Sequence, residues 1–229
     1  MPPESDATSI IVAAFAPLAG KRLLDIGCGA GVLARSLSDR GAYVSGVDPN
    51  AEVLALAREA VPTGTFHQAG AEALPFADGS FDGVIFLNSL HHVPKRAMRR
   101  ALEEAARVVE PARPIVVVEP LAEGSFFSTL RPVEDETYVR IAAQETLRLA
   151  LQGGGFEQLR RVDYTRREHF EGLDQFLSRV VAVDPARAAV AAERRPEVEA
   201  AFRCHAQVAA DGRMTLEQPM RAHVLRANT

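Results

Sequence analysis

Residues 22–31, Arg-Leu-Leu-Asp-Ile-Gly-Cys-Gly-Ala-Gly, constrain the fold more than any other stretch of the chain. A mostly apolar run leads directly into three glycines at alternate positions, and a helical pattern of apolar residues follows. This order predicts a strand, a tight turn and a helix. The glycines let the backbone turn sharply and let a ligand approach it, because no side chain intervenes. The first amide groups of the helix would point toward that ligand.

Two acids near the glycine turn indicate which ligand suits it. The glycine spacing is G-x-G-x-G rather than G-x-G-x-x-G, and Asp25 stands just before the first glycine, where it would repel a pyrophosphate. Residues 43–47 predict a second strand followed by Asp48, about twenty residues after the turn, where a carboxylate suits a ribose diol. The site therefore suits a nucleoside with a positive charge and no phosphates, a description that S-adenosylmethionine meets.

Strand and helix patterns alternate through the first half of the chain. Such alternation predicts an α/β fold with a doubly wound parallel sheet, whose ligands bind outside the carboxyl ends of the strands. The predicted strands are 22–26, 43–47, 65–68, 82–87 and 115–119, and the predicted helices between them are 31–40, 51–60 and 95–109.

The second half of the chain is less regular. A helix is predicted over 139–151, a sixth strand over 156–164, and a last strand near 214–215 and 220–226. Residues 165–212 between these two strands have helical character and are too long for a simple connection. We interpret them as a helical insertion that forms a lid or a dimer face, within a single domain of residues 1–229. Residues 1–20 are expected to contain an N-terminal cap helix.

Five motifs, in this order and spacing, resemble the class I S-adenosylmethionine-dependent methyltransferases. The similarity is greatest to the small-molecule group that includes the ubiquinone-type enzymes, and it covers about residues 10–120. The motifs are residues 23–31, 47–50, 71–76, 80–82 and 88–93. The resemblance implies a Rossmann-like, seven-stranded sheet with an antiparallel seventh strand. It also implies methyl transfer from S-adenosylmethionine to an unidentified small molecule, on an O, N or C atom.

The resemblance also implies which residues bind the cofactor. Asp48 would accept both ribose hydroxyls, and Asn88 would hold the sulfonium side. Gly70 stands where many relatives have an aspartate, so adenine would depend on the backbone of Ala71 and Glu72. The full set of expected cofactor-binding residues is Asp25, Gly27, Cys28, Gly29, Gly31, Asp48, Pro49, Ala71, Glu72 and Asn88.

His91 and His92 are the candidate catalytic residues, because an imidazole can deprotonate an acceptor near neutral pH. A structural role for the pair, as in the family, is the alternative. Phe126, Phe127, Arg131 and Tyr138 would form an acceptor pocket with aromatic walls and a cation, or would simply cover the edge of the sheet. No metal ligand spacing accompanies these residues.

Other features limit the possible functions. The net charge of −4 argues against a general nucleic-acid partner. Two cysteines, and no apolar stretch long enough for a bilayer, predict a cytoplasmic protein without a membrane partner. A monomer and a homodimer both remain open. The main alternative function is a non-catalytic S-adenosylmethionine-binding or scaffold protein that acts through its helical insertion. A nicotinamide-dependent reductase is disfavoured by Asp25 and by the glycine spacing.

Overall fold

A computed structural model describes residues 6–210 and 212–228. The chain divides into two compact units, which we describe separately. The first contains the chain up to Glu119, Ala142–Asp163, and the chain from Arg221 onward. The second contains Pro120–Ile141 and Tyr164–Met220. Positions 1–5 of the expected cap segment and position 211 of the expected insertion lie outside the described residues.

Within these ranges eight strands form one sheet, and seven of them lie in the order β3-β2-β1-β4-β5-β8-β6. The first five strands pair in parallel. The order reverses between β1 and β4, which creates the switch point of a doubly wound sheet. The strands are β1 Arg22–Ile26, β2 Tyr43–Asp48, β3 Thr65–Gln68, β4 Gly83–Leu87, β5 Pro114–Pro120, β6 Phe156–Phe170, β7 Gln207–Val208 and β8 Met214–Ala227.

Strand β8 runs antiparallel to its neighbour β6. The Asn228 N–H, just after β8, donates to the Gly155 carbonyl, just before β6, at 3.0 Å. Further into the strands, His223 Nδ1 lies 2.8 Å from Gln158 Oε1. The expected Rossmann-like sheet with an antiparallel last strand is therefore confirmed. The last strand is continuous rather than interrupted, β6 extends six residues beyond its predicted end, and the two-residue β7 was not predicted.

Nine α-helices and one short 3₁₀ helix, Leu90–His92, lie within the described residues. The predicted helix over 51–60 is confirmed to the residue, because Asn50 caps its start and Pro62 follows its end. A short helix over Ser125–Leu130 lies where no element was predicted. The helices are α1 Ala7–Phe15, α2 Val32–Ser38, α3 Ala51–Ala60, α4 Lys95–Val108, α5 Ser125–Leu130, α6 Thr137–Gln152, α7 Leu173–Val183, α8 Arg187–Glu193 and α9 Arg195–His205.

One apolar core of the first unit lies between the sheet and α4. The apolar stripe of α4, which includes Met98 and Leu102, packs with Leu24 of β1 and Phe86 of β4. Helix α1 also contacts β4, because Gly83 lacks a side chain there. A Cβ on Gly83 would lie 2.2 Å from the Phe15 ring. Helix α1 therefore packs onto the sheet, and its role as a cap over the cofactor stays a prediction.

The second unit has its own apolar cluster. Phe170 at the end of β6 and Phe176 of α7 pack with Phe202 of α9, with ring centroids 5.5 to 6.3 Å apart. The predicted helical insertion thus contains three helices that bury apolar side chains together. Its role as a lid or dimer face stays a prediction. No helix within the described ranges has the length and apolarity that a bilayer crossing requires.

Candidate functional site

Three glycines with positive φ form the turn between β1 and α2. The φ angles of Gly27, Gly29 and Gly31 are 74°, 50° and 79°. The N–H groups of Gly27 and Cys28 both donate to the Val47 carbonyl, at 2.8 and 3.0 Å, so the turn closes against the end of β2. A Cβ on Gly29 would meet no atom within 4 Å. One side of the turn is therefore open for a ligand.

Ser89 packs closely against the turn at Gly27. A Cβ on Gly27 would lie 2.4 Å from the Ser89 Cβ, which is well below a van der Waals contact. We expect Gly27→Ala to lower the free energy of unfolding by about 2 kcal/mol or more, from left-handed backbone strain and overpacking together. Gly29→Ala is the matched control in denaturant unfolding, because it adds strain without the clash. Equal losses for the two variants would contradict this account.

Asp48 joins the glycine turn to the start of α3. Its Oδ2 accepts a hydrogen bond from the Gly29 N–H at 3.0 Å, and its Oδ1 accepts one from the Asn50 N–H at 2.9 Å. Each carboxylate oxygen can still accept a further hydrogen bond. The predicted ribose acceptor is therefore positioned by backbone contacts on both sides. Pro49 connects it to β3, since its carbonyl accepts a bond from Gln68 Nε2 at 3.0 Å.

Asp25 is buried in β1, with 2% of its surface exposed. No donor among residues 6–210 and 212–228 makes a hydrogen bond to its carboxylate. Burial, together with the charge of Asp48, raises the pKa of Asp25 to about 7. A carboxyl group in this state favours a nearby cation.

The side chain of Cys28 is a protonated thiol rather than a thiolate. Burial and the charges of Asp25 and Asp48 raise the pKa of its thiol well above the usual value. Its side chain also fills space next to β2, where a Cβ on Gly46 would lie 2.7 Å from the sulfur. Packing therefore accounts for the position of the Cys28 side chain, and its expected contact with the cofactor stays a prediction.

Asn88, directly after β4, has an unusual backbone and an unsatisfied side chain. Its φ is 54°, and its N–H donates to the Val118 carbonyl at 2.8 Å. Its Oδ1 is buried and makes no hydrogen bond to any residue that the structure describes. An unpaired buried acceptor costs free energy until a donor reaches it. Asn88 is thus a candidate partner for the cationic part of a ligand.

The next residues of this loop bind Glu119, at the end of β5. Glu119 Oε1 accepts from the N–H groups of Ser89 and Leu90, at 3.1 and 2.9 Å. Its Oε2 lies 2.5 Å from His91 Nδ1. His92 is exposed, and its ring centroid lies 4.1 Å from that of His91. The sequence patterns placed Glu119 over the active-site face but gave neither Ser89 nor Glu119 a role, although a buried acid after four apolar strand residues is unusual enough to be a signal.

The loop between β3 and β4 contains Ala71 and Glu72. Ala71 is buried, and the exposed Glu72 folds back so that a Cβ on Gly70 would lie 2.6 Å from its carboxylate. Glu104 of α4 holds this loop by accepting the Leu74 N–H at 2.9 Å. A hydrogen bond from Arg107 lowers the pKa of Glu104 to about 2, which keeps this anchor charged.

The predicted acceptor-pocket residues lie in the second unit. Phe126 is buried against Phe176, with ring centroids 5.5 Å apart. Phe127 is also buried, and the Arg140 guanidinium lies 4.7 Å from its ring centroid. The Arg131 side chain is half-exposed and pairs with Asp135 at 3.2 Å. Tyr138 is exposed. The two phenylalanines thus contribute to packing, and an acceptor-binding role for the four residues stays a prediction.

The fold and the glycine turn define a Rossmann-like α/β protein with its candidate site at the carboxyl ends of β1, β2 and β4. A model of the family described as "Methyltransferase domain" matches residues 23–112. The ubiquinone biosynthesis O-methyltransferase of Vibrio cholerae is 34% identical over an alignment of 145 positions, and the alignment covers 59% of this chain and 53% of that protein. The chain thus spans about half the length of the curated relatives that it matches.

Solved structures agree on the fold. The YcgJ protein of Bacillus subtilis has a TM-score of 0.68 at 20% identity, over 96% of this chain and 98% of that one. A Geobacter sulfurreducens methyltransferase, solved with S-adenosylhomocysteine, has a TM-score of 0.60 at 14% identity, over 96% and 90% of the two chains. Residues 23–112 of this chain thus match a methyltransferase family model, and the solved structures share the fold of the chain.

Proposed function

We propose that this protein transfers the methyl group of S-adenosylmethionine to a small-molecule acceptor. The observation that carries the proposal is the pair of carboxylates, Asp25 and Asp48, beside an open glycine turn. Their negative charges would repel phosphate groups and attract a cationic nucleoside. Asp48 would bind the ribose hydroxyls, and the orphaned Asn88 Oδ1 and Asp25 would interact with the positively charged methionyl part. The backbone of Ala71 and Glu72 would contact adenine.

Methyl transfer requires few chemical groups from the protein itself. When bound, S-adenosylmethionine supplies a methyl group that an acceptor atom takes from sulfur, and sulfur keeps the electron pair of the broken bond. The chain must hold donor and acceptor in line. For a hydroxyl acceptor, His91 or His92 would also remove its proton. The name of the Vibrio cholerae relative makes a hydroxyl-bearing small molecule the first acceptor class to test, ahead of N and C acceptors.

Calorimetric titration with S-adenosylmethionine and S-adenosylhomocysteine tests the first half of the proposal. Micromolar binding of both is expected, followed by transfer of labelled methyl groups to hydroxyl-bearing small molecules. No binding at millimolar ligand would overturn the proposal. Binding without transfer to any O, N or C acceptor would instead favour the non-catalytic alternative. The cytoplasmic location and the monomeric or homodimeric state stay predictions.

A further inference from the structure

The buried carboxylate of Glu119 has no assigned role in the proposed site. It is fully buried at the end of β5, where a charge without partners would be costly. Two backbone N–H groups, from Ser89 and Leu90, donate to one of its oxygens, and His91 Nδ1 contacts the other. All the donors come from three successive residues of the loop after β4.

The His91 contact determines where the imidazole carries its proton. A carboxylate only accepts hydrogen bonds, so Nδ1 must hold the hydrogen that faces Glu119. In the neutral ring, Nε2 is then the atom that can accept a proton. A carboxylate paired with a histidine sets the tautomer of a general base in the same way in other enzymes.

The loop that Glu119 holds also contacts the cofactor turn. Ser89 Oγ donates to the Ile26 carbonyl at 2.6 Å, and the Ser89 Cβ occupies the space beside Gly27. Asn88, with its positive φ and orphaned Oδ1, directly precedes this contact. The position of the loop against β1 thus depends on contacts made from β5.

We propose that Glu119 is a positioning residue, which seats the loop after β4 against the glycine turn and keeps His91 in the tautomer with a basic Nε2. This inference rests on the proposed methyl transfer to a hydroxyl acceptor. Glu119 contacts neither donor nor acceptor in this scheme and acts through Ser89 and His91.

The test compares Glu119→Gln with the wild-type protein. An amide can still accept the two backbone hydrogen bonds, but its NH₂ group would donate to Nδ1 and move the imidazole proton to Nε2. We expect nitrogen-detected NMR of the His91 ring to show Nδ1–H in the wild type and Nε2–H in the variant. Binding of S-adenosylmethionine should change less than about threefold, because the amide oxygen keeps both backbone hydrogen bonds and the loop stays in place. Methyl transfer to a hydroxyl acceptor should fall about 100-fold or more.

Two further variants distinguish a positioning role of Glu119 from a general loss of structure. Glu119→Asp keeps the negative charge and should retain the Nδ1–H signal, with at least partial recovery of transfer. Glu103→Gln changes an exposed acid on α4 and should leave tautomer, binding and transfer unchanged. An Nε2–H signal in the wild type, or wild-type transfer rates in Glu119→Gln, would overturn the inference. Failure of the wild type to bind S-adenosylmethionine would instead overturn the proposed function, whatever the tautomer.

Discussion

Asp48→Ala should lower the affinity for S-adenosylmethionine by about 100-fold or more. The variant loses the acceptor for the ribose hydroxyls, and each hydrogen bond to a charged group contributes about 1.5 to 3 kcal/mol. It also loses the contacts that Asp48 makes to the N–H groups of Gly29 and Asn50, which hold the glycine turn and the start of α3. Both changes weaken the binding of the same ligand, so the expected loss of affinity is large.

Calorimetry on folded variants measures this effect. Asp48→Asn should lie between the wild type and Asp48→Ala, because one side-chain oxygen remains as an acceptor. Asp39→Ala removes an exposed acid that pairs with Arg35 on α2, and it is the control for the loss of a negative charge. An affinity of Asp48→Ala within threefold of the wild type would show that ribose binds elsewhere.

The second large effect is that the affinity for S-adenosylmethionine should change with pH because Asp25 titrates. Its pKa is raised to about 7 by burial and by the charge of Asp48. A cationic ligand next to the carboxyl group would favour the ionised form, so binding below pH 7 should release about one proton. The affinity should rise about tenfold per pH unit up to pH 7 and level off above it.

Titrations in two buffers with different ionisation enthalpies measure the released proton directly. In Asp25→Asn the proton release should vanish, and the affinity at pH 8 should be lower than in the wild type. A wild-type affinity that stays constant from pH 5 to 8 would contradict the placement of the cation near Asp25 and leave ribose binding by Asp48 unaffected.

The Asp25 carboxyl group should also affect the stability of the ligand-free protein. Between about pH 4 and pH 7 the unfolded chain releases the Asp25 proton while the folded protein keeps it. This difference lowers the free energy of unfolding as the pH rises, by up to about 4 kcal/mol in total at pH 7 and above. Denaturant unfolding should therefore show Asp25→Asn to be more stable than the wild type at pH 8, with a margin that shrinks toward pH 4. A stability gain with a loss of binding is typical of strain held at functional sites.

Local patterns in the sequence predicted the parts of the fold that depend on neighbouring residues. The bounds of β1, α3 and β3 match the predicted 22–26, 51–60 and 65–68. Apolar runs, the Asp48-Pro49-Asn50 cap and the glycine turn each act within a few residues. The extra residues of β6 lack such a pattern, because the outer strand of the sheet is largely exposed and carries charged side chains.

The sequence by itself thus determined the parallel sheet and the glycine turn with its two acids. The tertiary structure alone decided how these residues are paired and charged. Ser89 meets Gly27, and Glu119 meets His91, across dozens of intervening residues, because the register of β1, β4 and β5 brings their carboxyl ends together. The raised pKa of Asp25 likewise comes from burial and from a neighbour on another strand, and no local pattern contains either quantity.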